Sequence, residues 1–369
     1  MPADLEMING QIQMIYAEEG GMPWWGTGGI VMPGKHFSVS DIAEKLPTIL
    51  SDHEKIPHYM WVPSENVHPD SIAYSNPREG LGSMVEFPGK FDIRRQIDMK
   101  PIGVVGNKYT IIQPKDIVGS VGEVILRNNL QLETAGLLHN GNASWFLCRI
   151  PGDYSITRID GEDDVSLRYV LLFAYFDGSG GLTTKITTVR VVCSNTAALA
   201  LSGSQNKWSI RHTANWGERI ADLHKSVDKA LGYYDEVVKF EQRLENTRMS
   251  QDEAARFFSE LVGLEQRTAE LLQGSDEMVQ QVTSTQKRRA KLTQELFDLF
   301  NSGQGNLGLT HRDALNAVTE YTTHKQGLRV STAQKAAGVS KDYLRFQRSL
   351  IDDSPLANSA VSLLSKRVA

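Results

Sequence analysis

Apolar residues follow two regimes along the chain. Between Pro101 and Ile210 they come in short runs, and from Trp216 onward they recur every three or four positions. The runs Ile102–Gln113, Leu130–Leu138, Ala143–Ile150, Val165–Phe176 and Leu182–Cys193 have the length and the β-branched and aromatic content of strands. The polar break His139-Asn140-Gly141-Asn142 carries an Asn-Gly pair that tolerates the positive φ of a tight turn, so it predicts a hairpin between the second and third runs. Val165–Phe176 is apolar at both odd and even positions, the pattern of a central strand covered on both faces. One helix, Lys115–Asn129, interrupts the series.

The second regime is helical. Ile220, Leu223, Val227, Leu231, Tyr234, Val238 and Leu244 trace one apolar stripe on a helix of about 28 residues. Ser250 and Glu253 have capping-box spacing ahead of Phe257, Phe258 and Leu261, and a further helix runs from about Gln280 to the loop Asn301–Gly308. Thr310 and Asp313 repeat the cap spacing before Leu315, Val318 and Tyr321, and shorter helical pieces follow around Tyr343–Ile351 and Ala360–Ala369. No internal repeat is present.

The first hundred residues differ again, being rich in proline, glycine and isolated aromatics. Their one predicted helix, Ser38–Leu50, takes Ser40 as cap and Glu44 in its first turn. The expected layout is α+β: a wrapping segment over 1–100, an antiparallel sheet packed with a long helix over 101–217, and a helical region over 218–369.

Composition narrows the function classes. A chain of 369 residues buries a sizeable core, and a net charge of −5 leaves room for a local basic patch without coating the surface in cations. Two cysteines, Cys148 and Cys193, exclude a disulfide framework within one chain and fit a reducing cytoplasm. The N-terminus is too acidic and too weakly apolar for a secretory signal, and no window reaches the roughly 18 apolar residues of a membrane span. No HExxH or paired metal spacing occurs among the nine histidines, so neither metal nor cofactor is expected. The turns Asp177–Gly181 and Asn301–Gly308 lack the Lys-Ser/Thr that completes a phosphate loop.

Candidate chemistry concentrates between Lys185 and Arg219. The bases there are Lys185, Arg190, Lys207, Arg211 and Arg219, the only acid is Glu218, and Trp208 and Trp216 interleave with them. Cations contact phosphates, aromatic rings stack on bases, and Asn195, Thr196 and His212 add neutral polar groups. The alternatives are a hydrolase or transferase with Cys193 as nucleophile and His212 as base, and a purely structural strip in which the tryptophans anchor the long helix. A second basic run, Lys287 to Lys291, reads as a solvated helix face.

The segments Pro23–Gly29, Val104–Pro114, Glu133–Leu138, Phe176–Thr196, Trp208–Ile220 and Leu309–Lys325 together resemble the phage- and plasmid-encoded family known as domain of unknown function 932, with a departure at His311-Arg312-Asp313. The resemblance implies a viral or plasmid product acting in the bacterial cytoplasm and transfers no catalytic residues. A sheet crossed by a long helix and carrying a basic, aromatic strip is similar in outline to single-strand annealing recombinases. The expected function is therefore single-stranded DNA binding and strand annealing in phage or plasmid recombination, without nucleotide hydrolysis and by a homo-oligomeric ring or filament. The competing expectations are the Cys193 enzyme and a host-interaction or structural protein.

Overall fold

The computed structural model describes residues 5–21, 28–63, 73–76, 80–138, 141–190, 196–197, 207–272, 280, 282–336, 341, 344 and 354–368. Four short strands open the chain: β1 (Met7–Ile8), β2 (Gln11–Ile12), β3 (Met14–Ala17) and β4 (Ile30–Met32). After α1 (Val39–Lys45) come the strands β5 (His53–Pro63), β6 (Ala73–Asn76), β7 (Gly80–Arg95) and β8 (Lys100–Gly106). Helix α2 (Pro114–Arg127) leads into β9 (Gln131–Leu138), β10 (Ala143–Arg149), β11 (Tyr154–Thr157), β12 (Asp163–Tyr175), β13 (Leu182–Arg190), β14 (Thr196–Ala197) and β15 (Lys207–Ile210). The remainder is helical: α3 (Ile220–Asn246), α4 (Gln251–Val262), α5 (Gln266–Leu272), α6 (Ser284–Ser302), α7 (His311–Glu320), α8 (Thr332–Ala336) and α9 (Pro355–Arg367).

The main sheet has the order β14-β13-β12-β10-β9-β3-β4, with β11 beside β12 and β15 beside β13. The class is α+β. Most of the sheet is antiparallel, as expected, and β3–β4 is a parallel pair, which makes it mixed. β12 is an interior strand, between β13 and β10. Its alternation sends Val170, Leu172 and Ala174 toward α2 and α3, and Tyr169, Leu171 and Phe173 to the opposite face. On that second face Gly136 lies opposite Trp145, and the indole crosses the strand where a Cβ on residue 136 would collide with Trp145 Cη2. The buried Trp145 Nε1 donates 3.1 Å to Thr134 Oγ1, so the ring keeps its polar partner inside the core.

Helix α3 joins two cores. Leu223, Val227, Tyr233, Tyr234 and Val237 pack on the sheet, whereas Phe240 and Leu244 belong to the cluster of α4, α6, α7 and α9. The Tyr234 hydroxyl sits 2.7 Å from the carbonyls of both Tyr169 and Thr187, fixing the helix across β12 and β13. Farther along, Arg312 on α7 is buried with Nη1 2.8 Å from Asp164 Oδ2 and Nε 3.3 Å from Glu241 Oε2. Tyr154 donates 3.0 Å to the other Glu241 oxygen, and Glu245 stands 4.0 Å from the same guanidinium. This charge cluster keys the helical region to β11, β12 and α3 at once.

Several expected elements need correction. The cap of α1 is Ser38, in a capping box with Asp41, two residues before the expected Ser40. Residues after Gly106 bend away as a turn and coil instead of continuing the strand, and α6 begins at Ser284 under a Thr283 cap. The segment expected only to wrap contains a second sheet, a long ribbon with the order β5-β7-β6 and β8 also on β7. Pro57, Pro63 and Pro88 mask it in the sequence. Proline is tolerated on an exposed ribbon edge or beside a break in register, and both are found here.

Candidate functional site

The candidate strip divides between the two faces of the sheet. β13 and β15 pair as Leu182 with Ile210, Thr183 with Ser209, Thr184 with Trp208 and Lys185 with Lys207. Alternation therefore sets Lys185 and Ser209 on one face and Trp208 and Ile210 on the other. Lys185 is 2 % exposed, beside Leu171 of β12 in the register, so its cation lies within the fold. Trp208 is half-buried against the helix-side core, and the Arg219 guanidinium lies 6.0 Å over its ring while Nη2 donates 3.4 Å to the Ser209 carbonyl. Trp216 packs on the same core. Arg190, Thr196 and Lys207 are placed through their backbone on β13, β14 and β15, and Asn195 and Cys193 lie outside the described residues.

His212 is an interior group. Its Nε2 donates 2.7 Å to the Tyr175 carbonyl, and its ring stacks on Tyr109 with centroids 4.6 Å apart. Burial lowers its pKa, opposed in part by that carbonyl, so the imidazole is neutral at physiological pH.

What remains at the surface is a small cationic site around the loop between β8 and α2. Thr110 N–H donates 3.1 Å to the His212 carbonyl, bringing Lys108 and Arg211 to neighbouring places. Lys90 is the register partner of Gly106, at the start of that loop. Lys55 holds the loop in place, with Nζ 3.0 Å from the carbonyls of Asn107 and Tyr109 and 4.4 Å from the Phe91 ring centroid. Lys90, Lys108 and Arg211 are exposed and have no carboxylate partner among the described residues. Asp177, which acts electrostatically on Tyr109 and His212, accepts instead from Asn142 and Ser179.

Beneath this loop, where the ribbon meets the main sheet, is a buried polar cluster that the sequence reading missed. His53 and Arg95 are register partners on β5 and β7. Arg95 is buried; it donates through Nε to Asp98 at 3.0 Å and through Nη2 to Glu6 at 2.9 Å, and its Nη1 has no partner and faces Gly141. Gly141 has φ +76°, and a Cβ there would overlap Nη1, so only glycine fits. His53 meets Phe176 edge-on at 4.8 Å, and Gln113 clasps its backbone, accepting from N–H at 2.8 Å and donating to the carbonyl at 2.9 Å. Burial, reinforced by the Arg95 charge, lowers the His53 pKa to about 4. The cluster anchors the ribbon and holds two neutral imidazoles.

Residues 101–343 match the family described as Domain of unknown function (DUF932). The chain belongs to the DUF932 family. No curated protein and no solved structure matches it. The matched DUF932 region begins within β8 and takes in the main-sheet strands from β9 to β15, the long helix and Arg312, while β5, β6 and β7 precede it.

Cys148 is fully buried, and burial pushes its thiol far above the range in which a thiolate forms at neutral pH. Among the described residues no group of three His, Cys, Asp or Glu side chains is placed to hold a metal ion. No helix is long and apolar enough to cross a membrane, again among the described residues.

Proposed function

We propose that this DUF932 protein binds single-stranded DNA in the bacterial cytoplasm and anneals complementary strands during phage or plasmid recombination, without hydrolysing nucleotide. The observation that carries the reading is the exposed set Lys90 on β7, Lys108 on the β8–α2 loop and Arg211 after β15, unpaired with acid among the described residues, around a loop fixed by Lys55 and by Thr110. In a chain with net charge −5, three such cations from three segments around one loop are a local exception that suits a phosphate backbone. Contact through phosphates leaves base edges free to pair, which annealing requires. Trp208 lies on the edge strand β15 that leads into Arg211, with Arg219 over its ring, and the partly exposed indole offers a stacking surface beside the cations. Of the residues expected from sequence, Arg211, Trp208 and Arg219 remain in the proposed contact surface, whereas the buried Lys185 and His212 support it from within. Annealing also calls for several subunits along one strand, in a ring or filament.

Fluorescence anisotropy with a labelled oligonucleotide across a salt series tests the reading. Three phosphate contacts give a log-log slope of about −2, and Arg211→Ala or Lys108→Ala flattens it by about 0.7 each. Lys291→Ala, on the α6 face where Lys291 pairs with Glu295 at 3.7 Å, leaves the slope unchanged. Annealing of complementary oligonucleotides proceeds without ATP. Absence of salt-sensitive binding at low ionic strength would overturn the proposal.

A further inference from the structure

Lys108 stands between the other two exposed cations because each of its chain neighbours is docked beside one of them. On one side is Asn107, whose side-chain amide lies 3.4 Å from where a Cβ on Gly89 would stand, next to Lys90. Gly89 has φ +74°, a left-handed turn conformation that favours glycine. On the other side is Tyr109, whose ring stacks on His212 with centroids 4.6 Å apart and planes 13° from parallel, next to Arg211. Tyr109 is half-buried and His212 buried, whereas Lys108 and Arg211, one residue earlier in each segment, are exposed. The stacked pair therefore ties together the two places from which these cations leave the fold.

Both members of the stack are held from behind. The Tyr109 hydroxyl donates 3.1 Å to the Phe176 carbonyl, and His212 Nε2 donates 2.7 Å to the carbonyl of Tyr175, the preceding residue. Ahead of His212 the chain runs close over Gly181, where a Cβ would collide with the Ile210 carbonyl and lie 3.2 Å from the Arg211 Cα. Lys55 belongs to the frame and not to the exposed set: its ammonium donates 3.0 Å to the carbonyls of both Asn107 and Tyr109, one on each side of Lys108. Without the ring at 109 the loop would lose its tie to the segment of Arg211, and Lys108 would have to be ordered anew each time an anion bound.

We propose that Tyr109 is the positioning residue of the strand-binding site: through its stack on His212 it sets Lys108 beside Arg211, so that a phosphate backbone meets the two cations already arranged. This rests on the DNA-binding reading given under Proposed function and adds to it a residue that touches no phosphate. Removing the ring takes away arrangement and leaves every charge in place.

Two measurements on the full chain test this, one with the strand and one without it, each on variants that melt above the assay temperature. In the anisotropy salt series with a labelled oligonucleotide, Tyr109→Leu flattens the log-log slope by about 0.7, the loss given by Lys108→Ala, although net charge is unchanged. Tyr109→Phe keeps the ring and the wild-type slope. The double variant Tyr109→Leu with Lys108→Ala is no flatter than Lys108→Ala alone, because the contact is lost only once. Amide hydrogen exchange without DNA reads the placement itself: the Thr110 N–H, bonded to the His212 carbonyl, is protected in wild type and in Tyr109→Phe, and exchanges about tenfold faster in Tyr109→Leu. A wild-type slope for Tyr109→Leu, a second loss of about 0.7 in the double variant, or a Tyr109→Phe slope as flat as that of Tyr109→Leu overturns the proposal. So does Thr110 exchange that Tyr109→Leu leaves unaltered. If wild type shows no salt-sensitive binding, the reading under Proposed function fails, and the exchange result still decides whether Tyr109 places Lys108.

Discussion

Acidification should loosen the join between ribbon and sheet through His53, and the size of the effect follows from its surroundings. The ring is 4 % exposed and stands opposite Arg95, and its pKa is lowered from 6.5 to about 4. With the folded value below the unfolded one, the unfolded chain takes up the proton first. Stability is complete above about pH 6.5 and falls as the pH drops toward 4, where the loss levels off. Between pH 7.5 and 4.5 the two titrations differ by about 2.5 kcal/mol for this residue alone. His212 and His311 are lowered in the same direction by burial and add to the trend. Urea unfolding at a series of pH values, for wild type and His53→Gln, isolates the contribution. The gap in unfolding free energy between the two proteins should shift by about 2.5 kcal/mol in favour of the variant over that interval. Parallel pH profiles for the two proteins would show that His53 does not stay neutral in the fold, and the reasoning would be wrong.

Two other perturbations probe the packing. Arg312→Met leaves Asp164, Glu241 and Glu245 without their shared cation and should cost about 3 to 5 kcal/mol in denaturant unfolding; the loss should shrink as falling pH protonates carboxylates whose folded pKa values are now raised. An undiminished melting temperature would refute the account of that cluster. Gly136→Ala drives a methyl group into the Trp145 indole and the Gln13 carbonyl, and should lower stability by about 1 to 3 kcal/mol with a shift in the Trp145 fluorescence.

Local signals in the sequence carried well into the structure. The capping boxes at Ser250 and Thr310 depend on residues three apart and are present as expected, and the doubly apolar run at β12 is indeed an interior strand. The hairpin expected at Asn140-Gly141 joins strands whose register begins at Leu138 and Ala143. What stayed hidden depends on distance along the chain. Arg312 finds Asp164 148 positions away, so nothing near His311-Arg312-Asp313 announces a buried ion cluster. The ribbon escaped notice because its apolar residues point to both faces and prolines interrupt them. The cationic strip was legible as composition and not as geometry: pairing with Lys207 across β13 and β15 takes Lys185 to the face opposite Trp208. Lys90 and Lys108, which share the surface site with Arg211, lie about a hundred residues upstream, outside the Lys185–Arg219 strip.

Helix α3 spans 27 residues, or about 40 Å at the rise of an α-helix. The part carrying Leu223, Val227 and Tyr234 is fixed on the sheet, and the last turns, with Phe240 and Leu244, lie in the helical bundle, all within one continuous helix. Mechanically it is a strut shared by two bodies. A push or a twist on the bundle cannot dissipate in a flexible joint; it must tilt the sheet with it, including the strand that carries Trp208 and leads into Arg211. Whatever engages the helical region therefore has a stiff line of transmission to the proposed DNA surface.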